Sequence, residues 1–261
     1  MSPRENLIYI PTYNDSKNIY NLLKNLDSIN FDFDILIVDD CSVDSNLELI
    51  LKFINDKKNK YNISLLKCKR NYGLATSQKI AIEFFLKKTK SDNLIILHGD
   101  GQYDAKLVNL FKPYLQKNFG IVQGMRNKNK FGKKDQTPLF AYYIIKILNF
   151  YENIICRANF REWHSGFVFY KRRFLSQIPL ENLTDTPHID GNILYIAKLL
   201  SESVASVDIY KLYKKEHRYN KKYIIKYFFT VIYLPFYFIL KNKRLLKFKK
   251  RRIKYEVERM F

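Results

Sequence analysis

Acidic residues are scarce in this 261-residue chain: 25 Asp or Glu stand against 46 Lys or Arg, for a formal charge of +21. Cysteine is scarcer still, with Cys41, Cys68 and Cys156 forming an odd set that contains no CxxC pair. That usage excludes a disulfide framework and a paired-thiol motif. With no signal peptide at the start, it predicts a reduced, cytoplasmic setting and small, packed thiols. No internal repeat is present, and no clean linker occurs before about Lys211. The expected organisation is one sizeable domain over residues 1–210, followed by a basic, aromatic helical tail over 211–261.

The positive charge is uneven. Residues 211–261 hold 17 Lys or Arg against three Glu, a net +14 of the chain's +21. Inside that tail, the uncharged run 227–240 (YFFTVIYLPFYFIL) covers 14 positions between Lys226 and Lys241. That is short of the roughly 20 apolar residues a bilayer crossing needs. A basic, aromatic, too-short segment fits a helix lying in the headgroup region of an anionic membrane, while a core helix packed on the domain is the alternative. Nucleic-acid binding would interleave basic and aromatic residues on the domain itself, so no nucleic acid is expected as a partner. The expected location is peripheral, at the inner face of the cell membrane.

Strands and helices alternate along the first half. Leu7–Ile10, Ile35–Val38, Ile63–Lys67 and Leu94–Leu97 read as strands, separated by helices near 17–26, 46–55 and 74–87. A further helix follows near 105–116, and another strand near 120–124. Short apolar strands between amphipathic helices predict an α/β fold with a Rossmann-like, mostly parallel sheet covered on both faces. Beyond it, 126–134 reads as a mobile loop, 138–157 as a helix, 165–170 as a strand, 188–200 as a helix and 204–209 as a last strand. In such sheets ligands bind beyond the carboxyl ends of the strands. Polar residues gather there: Thr12, Tyr13 and Asn14; Asp39 and Asp40; Arg70, Asn71 and Gly73; His98, Asp100 and Gln102.

The segment His98-Gly99-Asp100-Gly101-Gln102 carries the chemistry. Asp100 and Gln102, two apart in an extended stretch, would point the same way and share a hard cation such as Mg²⁺ or Mn²⁺. Glycines on either side of Asp100 would let a diphosphate approach the backbone. An Asx-type turn, with Asp100 bonding local amides, is the competing account. Asp39 or Asp40 could hold a base or ribose, or cap the helix that follows. Tyr13 could stack on a base, and Arg70 and Arg126 could meet phosphates.

Taken in order, these motifs resemble family 2 glycosyltransferases with the A-type nucleotide-sugar fold, over roughly residues 7–210. The matching stretches are Pro11–Asp15, Val38–Asp44 (VDDxSxD), Asn71–Ala75 (NxGxA), His98–Gln102 (DxDxQ) and Ser165–Phe167 (SGF). Gly124-Met125-Arg126 is similar to the GSR of the dolichyl-phosphate mannosyltransferase-like branch. The resemblance implies inverting transfer from a nucleotide-diphosphate sugar (UDP- or GDP-linked) with a divalent cation. By it, Asp100 and Gln102 are metal ligands, with His98 a further candidate. Pro11, Tyr13, Asp15 and Asp39 or Asp40 hold the nucleoside. Arg126 and Ser165 meet the acceptor phosphate, and Arg218 and Lys222 close over the diphosphate. Two departures stand out: His98 replaces the first acid of DxDxQ, and Met125 replaces the serine of GSR.

The acceptor forks the mechanism. A polyprenyl phosphate brings an anionic oxygen and needs no general base. A sugar hydroxyl, in a glycan acceptor, needs a carboxylate to take its proton. Asp190 lies about where hydroxyl-accepting relatives carry that base, although a first-turn helix acid would look the same. Glu162 and His164 are weaker candidates. The SGF segment, the DxQ form and the basic tail favour the lipid phosphate. A nucleotide-binding protein without turnover remains the reading from outside this class, given His98.

Overall fold

The computed structural model describes residues 4–57, 60–213, 221–241 and 255–261. Four strands open the sheet: β1 (Asn6–Thr12), β2 (Asp34–Asp39), β3 (Ile63–Cys68) and β4 (Asn93–Ile96). They run parallel in the order β4-β1-β2-β3, connected by α1 (Ile19–Asn25), α2 (Asn46–Lys57) and α3 (Leu74–Lys88). Alternation along each strand sorts side chains onto two faces. Ile8, Ile10, Ile35, Ile37 and Ile95 face one core with Phe111, while Leu7, Tyr9, Leu36, Val38 and Ile96 face another with Phe85. Both faces are apolar because both are covered, so these strands read as continuous hydrophobic runs.

Four later strands complete one eight-stranded sheet among the described residues, in the order β7-β5-β6-β4-β1-β2-β3-β8. They are β5 (Ile121–Arg126), β6 (Val168–Lys171), β7 (Val204–Ile209) and β8 (Val257–Arg259). β5 and β7 pair parallel, while β6 runs antiparallel between β4 and β5. The sheet is therefore mixed, with the parallel half at β1–β4.

Three local expectations change. Residues Ala105–Tyr114 form a 3₁₀ segment rather than an α-helix, with Asp104 capping it through Lys106 N and Pro113, which brings no N–H, near its end. Residues 126–134 are not a loose loop: β5 runs to Arg126, and α4 (Lys128–Phe131) and a 3₁₀ turn (Gly132–Lys134) follow. Lysines order this stretch, Lys128 Nζ donating to the carbonyls of Asp135 (2.8 Å) and Thr137 (2.7 Å). The strand expected from Ser165 begins only at Val168.

Helix α5 (Leu139–Cys156) is, by length and composition, apolar enough to cross a membrane. It nevertheless lies on the domain. Tyr142, Leu148 and Glu152 are buried, and Asn153 bonds both the N–H and the carbonyl of Phe160. After the four-residue α6 (Arg172–Leu175) comes α7 (Ile189–Leu199), and then α8 (Lys221–Lys241) packs beside α5. Tyr151 Oη donates to the Ile232 carbonyl at 2.8 Å, and Val231 is fully buried. The opposite sides of both helices expose a run of large apolar groups, including Phe140, Tyr143, Ile147 and Phe150 on α5 and Phe228, Phe229, Tyr233 and Phe236 on α8.

The chain beyond 210 is not helical throughout. β8 adds an antiparallel edge to β3, with Leu66 opposite Arg259 and Cys68 opposite Val257. Nothing in composition announces this strand, since its charged residues face water at the sheet edge.

Candidate active site

Two adjoining cavities open beyond the carboxyl ends of the central strands. The smaller, about 240 Å³, is lined by Pro11, Tyr13, Asp15, Asp40, Gly73 and Asp100, among others. The larger, about 440 Å³, takes in Asp100, Gln102, Arg126, Ser165, Asp190 and Lys211. His98 and Asp100 line both, so they form the seam.

The smaller side is built from strand ends. Gly99 N donates to the Pro11 carbonyl and Asp40 N to the Thr12 carbonyl, which locks three loops together. A Cβ at Gly99 would sit 2.9 Å from the Pro11 oxygen and from Thr12, so only glycine lets these loops close. Asp15 accepts from Thr12 Oγ1 (3.0 Å) and Tyr13 N (3.1 Å). Burial outweighs those bonds, with nearby Asp100 adding repulsion, and pushes its carboxyl up to about 6. Asp40 accepts from Tyr72 N (2.8 Å) and Gly73 N (2.7 Å), fixing the turn that starts α3, and burial raises it too. Tyr13 stays partly exposed at the rim, free to stack on a base.

Asp39 is elsewhere. It is fully buried, accepting from Asn46 Nδ2 (2.8 Å) and Ser42 N (3.1 Å), and it lines neither cavity. Its place is that of a brace for the turn before α2, so of the two adjacent acids Asp40 faces the cleft. Arg70 is exposed with its guanidinium 4.8 Å over the Tyr72 ring, also outside both linings. Arg218 lies outside the described residues, as does the side chain of Lys222 in α8.

At the seam, residues 99–103 turn rather than extend. Gly101 has φ +69°, and Asp100 Oδ1 accepts from Gln102 N at 2.9 Å. The Asx turn and the shared lining therefore coexist: one carboxylate oxygen closes the turn, while both side chains reach one cavity. His98 Nε2 lies 3.1 Å from the Gly166 carbonyl. A carbonyl only accepts, so Nε2 carries the proton in this contact. The Asp100 carboxylate and the Gln102 amide oxygen suit a hard dication completed by phosphate oxygens, and His98 lines the same cavity.

The larger side sets two cations, Arg126 and Lys211, beside two acids, Asp100 and Asp190, and is apolar at its mouth. Arg126, at the end of β5, is buried against Glu162, with Nη2 3.2 Å from Oε2, and donates to the His164 carbonyl at 3.1 Å. Glu162 is thereby committed to Arg126 rather than to proton transfer. Lys211, the first residue after the β7 strand and Tyr210, joins the lining over Tyr103. Burial and the neighbouring Arg126 push its ammonium down to about 8. The sequence reading missed Lys211, whose signal was a lysine just past a strand end. Ser165 Oγ accepts from Phe167 N at 3.2 Å and lines the same cavity. Asp190 sits in the first turn of α7 but caps nothing there. Its Oδ1 accepts from Gln78 Nε2 (2.6 Å) and Tyr170 Oη (2.7 Å), and burial raises its carboxyl. Ala141 and Ile145 of α5 and Tyr227 of α8 complete the mouth.

An α/β sheet whose polar strand ends meet at two adjoining cavities places its candidate site where open sheets of this class carry their ligands. Residues 7–178 match the family described as glycosyl transferase family 2, and the chain belongs to that family of sugar-transferring enzymes. An uncharacterized protein of Methanocaldococcus jannaschii is 28% identical over 180 residues, covering 65% of this chain and 72% of that one. The dolichyl-phosphate beta-glucosyltransferase of Dictyostelium discoideum is 24% identical over 216 residues, 77% of this chain but 64% of its own length. The mannosyltransferase PcManGT from Pyrobaculum calidifontis, solved with GDP-Man and Mn²⁺, shares the fold at a TM-score of 0.59 and 15% identity, covering 94% of this chain and 72% of that one.

Proposed function

We propose that this chain is an inverting, divalent-metal-dependent glycosyltransferase moving a sugar from a UDP- or GDP-linked donor to a polyprenyl-phosphate-type acceptor at an anionic membrane surface. The observation that carries this reading is the character of the larger cavity. It pairs Arg126 and Lys211 inside with an apolar mouth between two helices whose outer faces expose aromatic side chains. A phosphate on a hydrocarbon chain matches that combination; a free sugar matches only part of it. The Pyrobaculum structure's GDP-Man and Mn²⁺, and the acceptor in the Dictyostelium enzyme's name, add support.

In this account Tyr13, Asp15 and Asp40 hold the nucleoside, and Pro11 shapes the floor through its carbonyl. Asp100 and Gln102, with His98 a further candidate in the same lining, would hold Mg²⁺ or Mn²⁺. That ion, when bound, supplies positive charge for the leaving diphosphate. Arg126 and Lys211 orient the acceptor phosphate, whose oxygen is already anionic and attacks without a base. The α5 and α8 faces rest on lipid, which sets the expected location at the inner face of the cell membrane.

Asp190 favours a second reading, extension of a glycan hydroxyl. Asp190 lines the cavity, and burial raises its carboxyl above the ordinary value. The separating experiment supplies Mn²⁺ and a panel of UDP- and GDP-sugars with either polyprenyl phosphate in liposomes or glycan acceptors. Transfer to the lipid alone supports the first reading, and transfer to the glycan alone overturns it.

A further inference from the structure

One buried cluster beside the larger cavity has no part in either mechanism. Glu152 on α5, His164 in the loop before β6 and His188 at the start of α7 set one carboxylate between two imidazoles, with all three side chains at most 2% exposed. His188 Nε2 lies 2.8 Å from Glu152 Oε1, and Tyr195 Oη donates to the same oxygen. The other half of the cluster is different. His164 Nε2 stands 2.9 Å from Glu152 Oε2 as an ion-pair contact, outside the aligned geometry of a hydrogen bond. One carboxylate therefore meets both rings, an oxygen to each, and the second contact is poorly aligned for a hydrogen bond. The three nearest ligand atoms lie within 4.8 Å of one another.

The surroundings point the same way. His164 Nδ1 is 2.7 Å from Tyr227 Oη. In a neutral ring whose Nε2 offers its lone pair, Nδ1 carries the proton and donates to that oxygen, the outer bond that orients a metal-bound imidazole. A Cβ at Gly191 would fall 2.2 Å from the His188 ring, so glycine there leaves the ring its place. Both imidazoles also line the cavity, which leaves one side of the cluster open.

We propose that Glu152, His164 and His188 bind one borderline first-row dication, Zn²⁺ being the ion that fits, at a site separate from the hard-cation seam at Asp100. Two neutral imidazoles and a carboxylate are a zinc-type donor set, unlike the oxygen-rich set at Asp100 and Gln102. The bound ion ties α5 to α7 and, through Tyr227, to α8. It also turns a buried negative group into a net positive one beside Arg126, which favours an anionic acceptor.

The test uses the full chain, stripped by dialysis against a chelator and reloaded with Zn²⁺, or with Co²⁺ as a spectroscopic probe. Mn²⁺ and GDP or UDP occupy the seam meanwhile. One equivalent of Zn²⁺ should survive gel filtration, raise the unfolding temperature, and show two imidazole shells in X-ray absorption. Asp100→Asn should leave all three readings unchanged. His164→Gln or His188→Gln should weaken Zn²⁺ binding by on the order of a hundredfold, with circular dichroism reporting the fold. Should those variants not fold, the X-ray absorption of the parent protein decides by itself. Absence of stoichiometric Zn²⁺, a spectrum without imidazole shells, or loss of Zn²⁺ in Asp100→Asn overturns the proposal.

Discussion

The two sides of the cleft are made differently. The side proposed to hold the donor is backbone architecture: Pro11, Asp15, Asp40 and Gly73 sit at consecutive strand ends and are fixed by bonds to main-chain groups. The side proposed to hold the acceptor is side-chain architecture, assembled from residues 126, 162–165, 190, 211 and 227 and held by buried ion pairs and rings. A backbone-built pocket tolerates change in its lining but not in its turns. A pocket built on buried charge fails when a single partner is removed.

That contrast can be broken most sharply at Asp190. Asp190→Asn should leave transfer to a polyprenyl phosphate within a few-fold of normal. With a sugar-hydroxyl acceptor the same change should cost roughly 10²–10⁴-fold in turnover, measured with donor binding verified by calorimetry. Next in size, Arg126→Ala strands Glu162 inside the protein and should cost about 3–5 kcal/mol in urea unfolding, because an unpaired buried carboxylate remains. The equivalent change on the donor side, Tyr13→Ala at the exposed rim, should alter unfolding by less than about 0.5 kcal/mol while weakening nucleotide affinity. Equal stability losses at the two positions would erase the distinction.

Smaller effects sharpen it. Lys211 is pushed down to about 8, so it holds its proton below that pH and loses it above. Acceptor KM should therefore rise as pH climbs through about 8, by up to roughly tenfold per unit, and Lys211→Met should flatten the profile. A profile that stays flat in the parent protein would take Lys211 out of anion binding. Smallest of all, replacing exposed Phe150 or Phe229 with Ser should each weaken binding to anionic liposomes by roughly tenfold, with nucleotide affinity unchanged.

The same contrast explains what could be read from sequence. β1–β4 and their helices were legible because apolar runs alternate with amphipathic stretches, and the strand-end tips fell where such a sheet binds ligands. Asp39 and Asp40 were not separable, since adjacent residues on a strand end point to opposite sides and only pairing tells which one faces the cleft. Residues 126–134 read as loose because Lys128 and Lys130 order them through a few polar bonds that leave no periodicity. The same holds for β8, a short charged edge. Lys211 and the Glu152, His164 and His188 cluster lay hidden because their members are far apart in the chain and meet only after folding.

The most direct test titrates GDP and UDP into the protein by calorimetry, with Mn²⁺ or with EDTA, in the parent chain and in Asp100→Asn. Binding that requires Mn²⁺ and disappears in the variant is the predicted result. Equal affinity with EDTA, or full affinity in Asp100→Asn, would contradict a metal-held diphosphate at the seam between the two pockets.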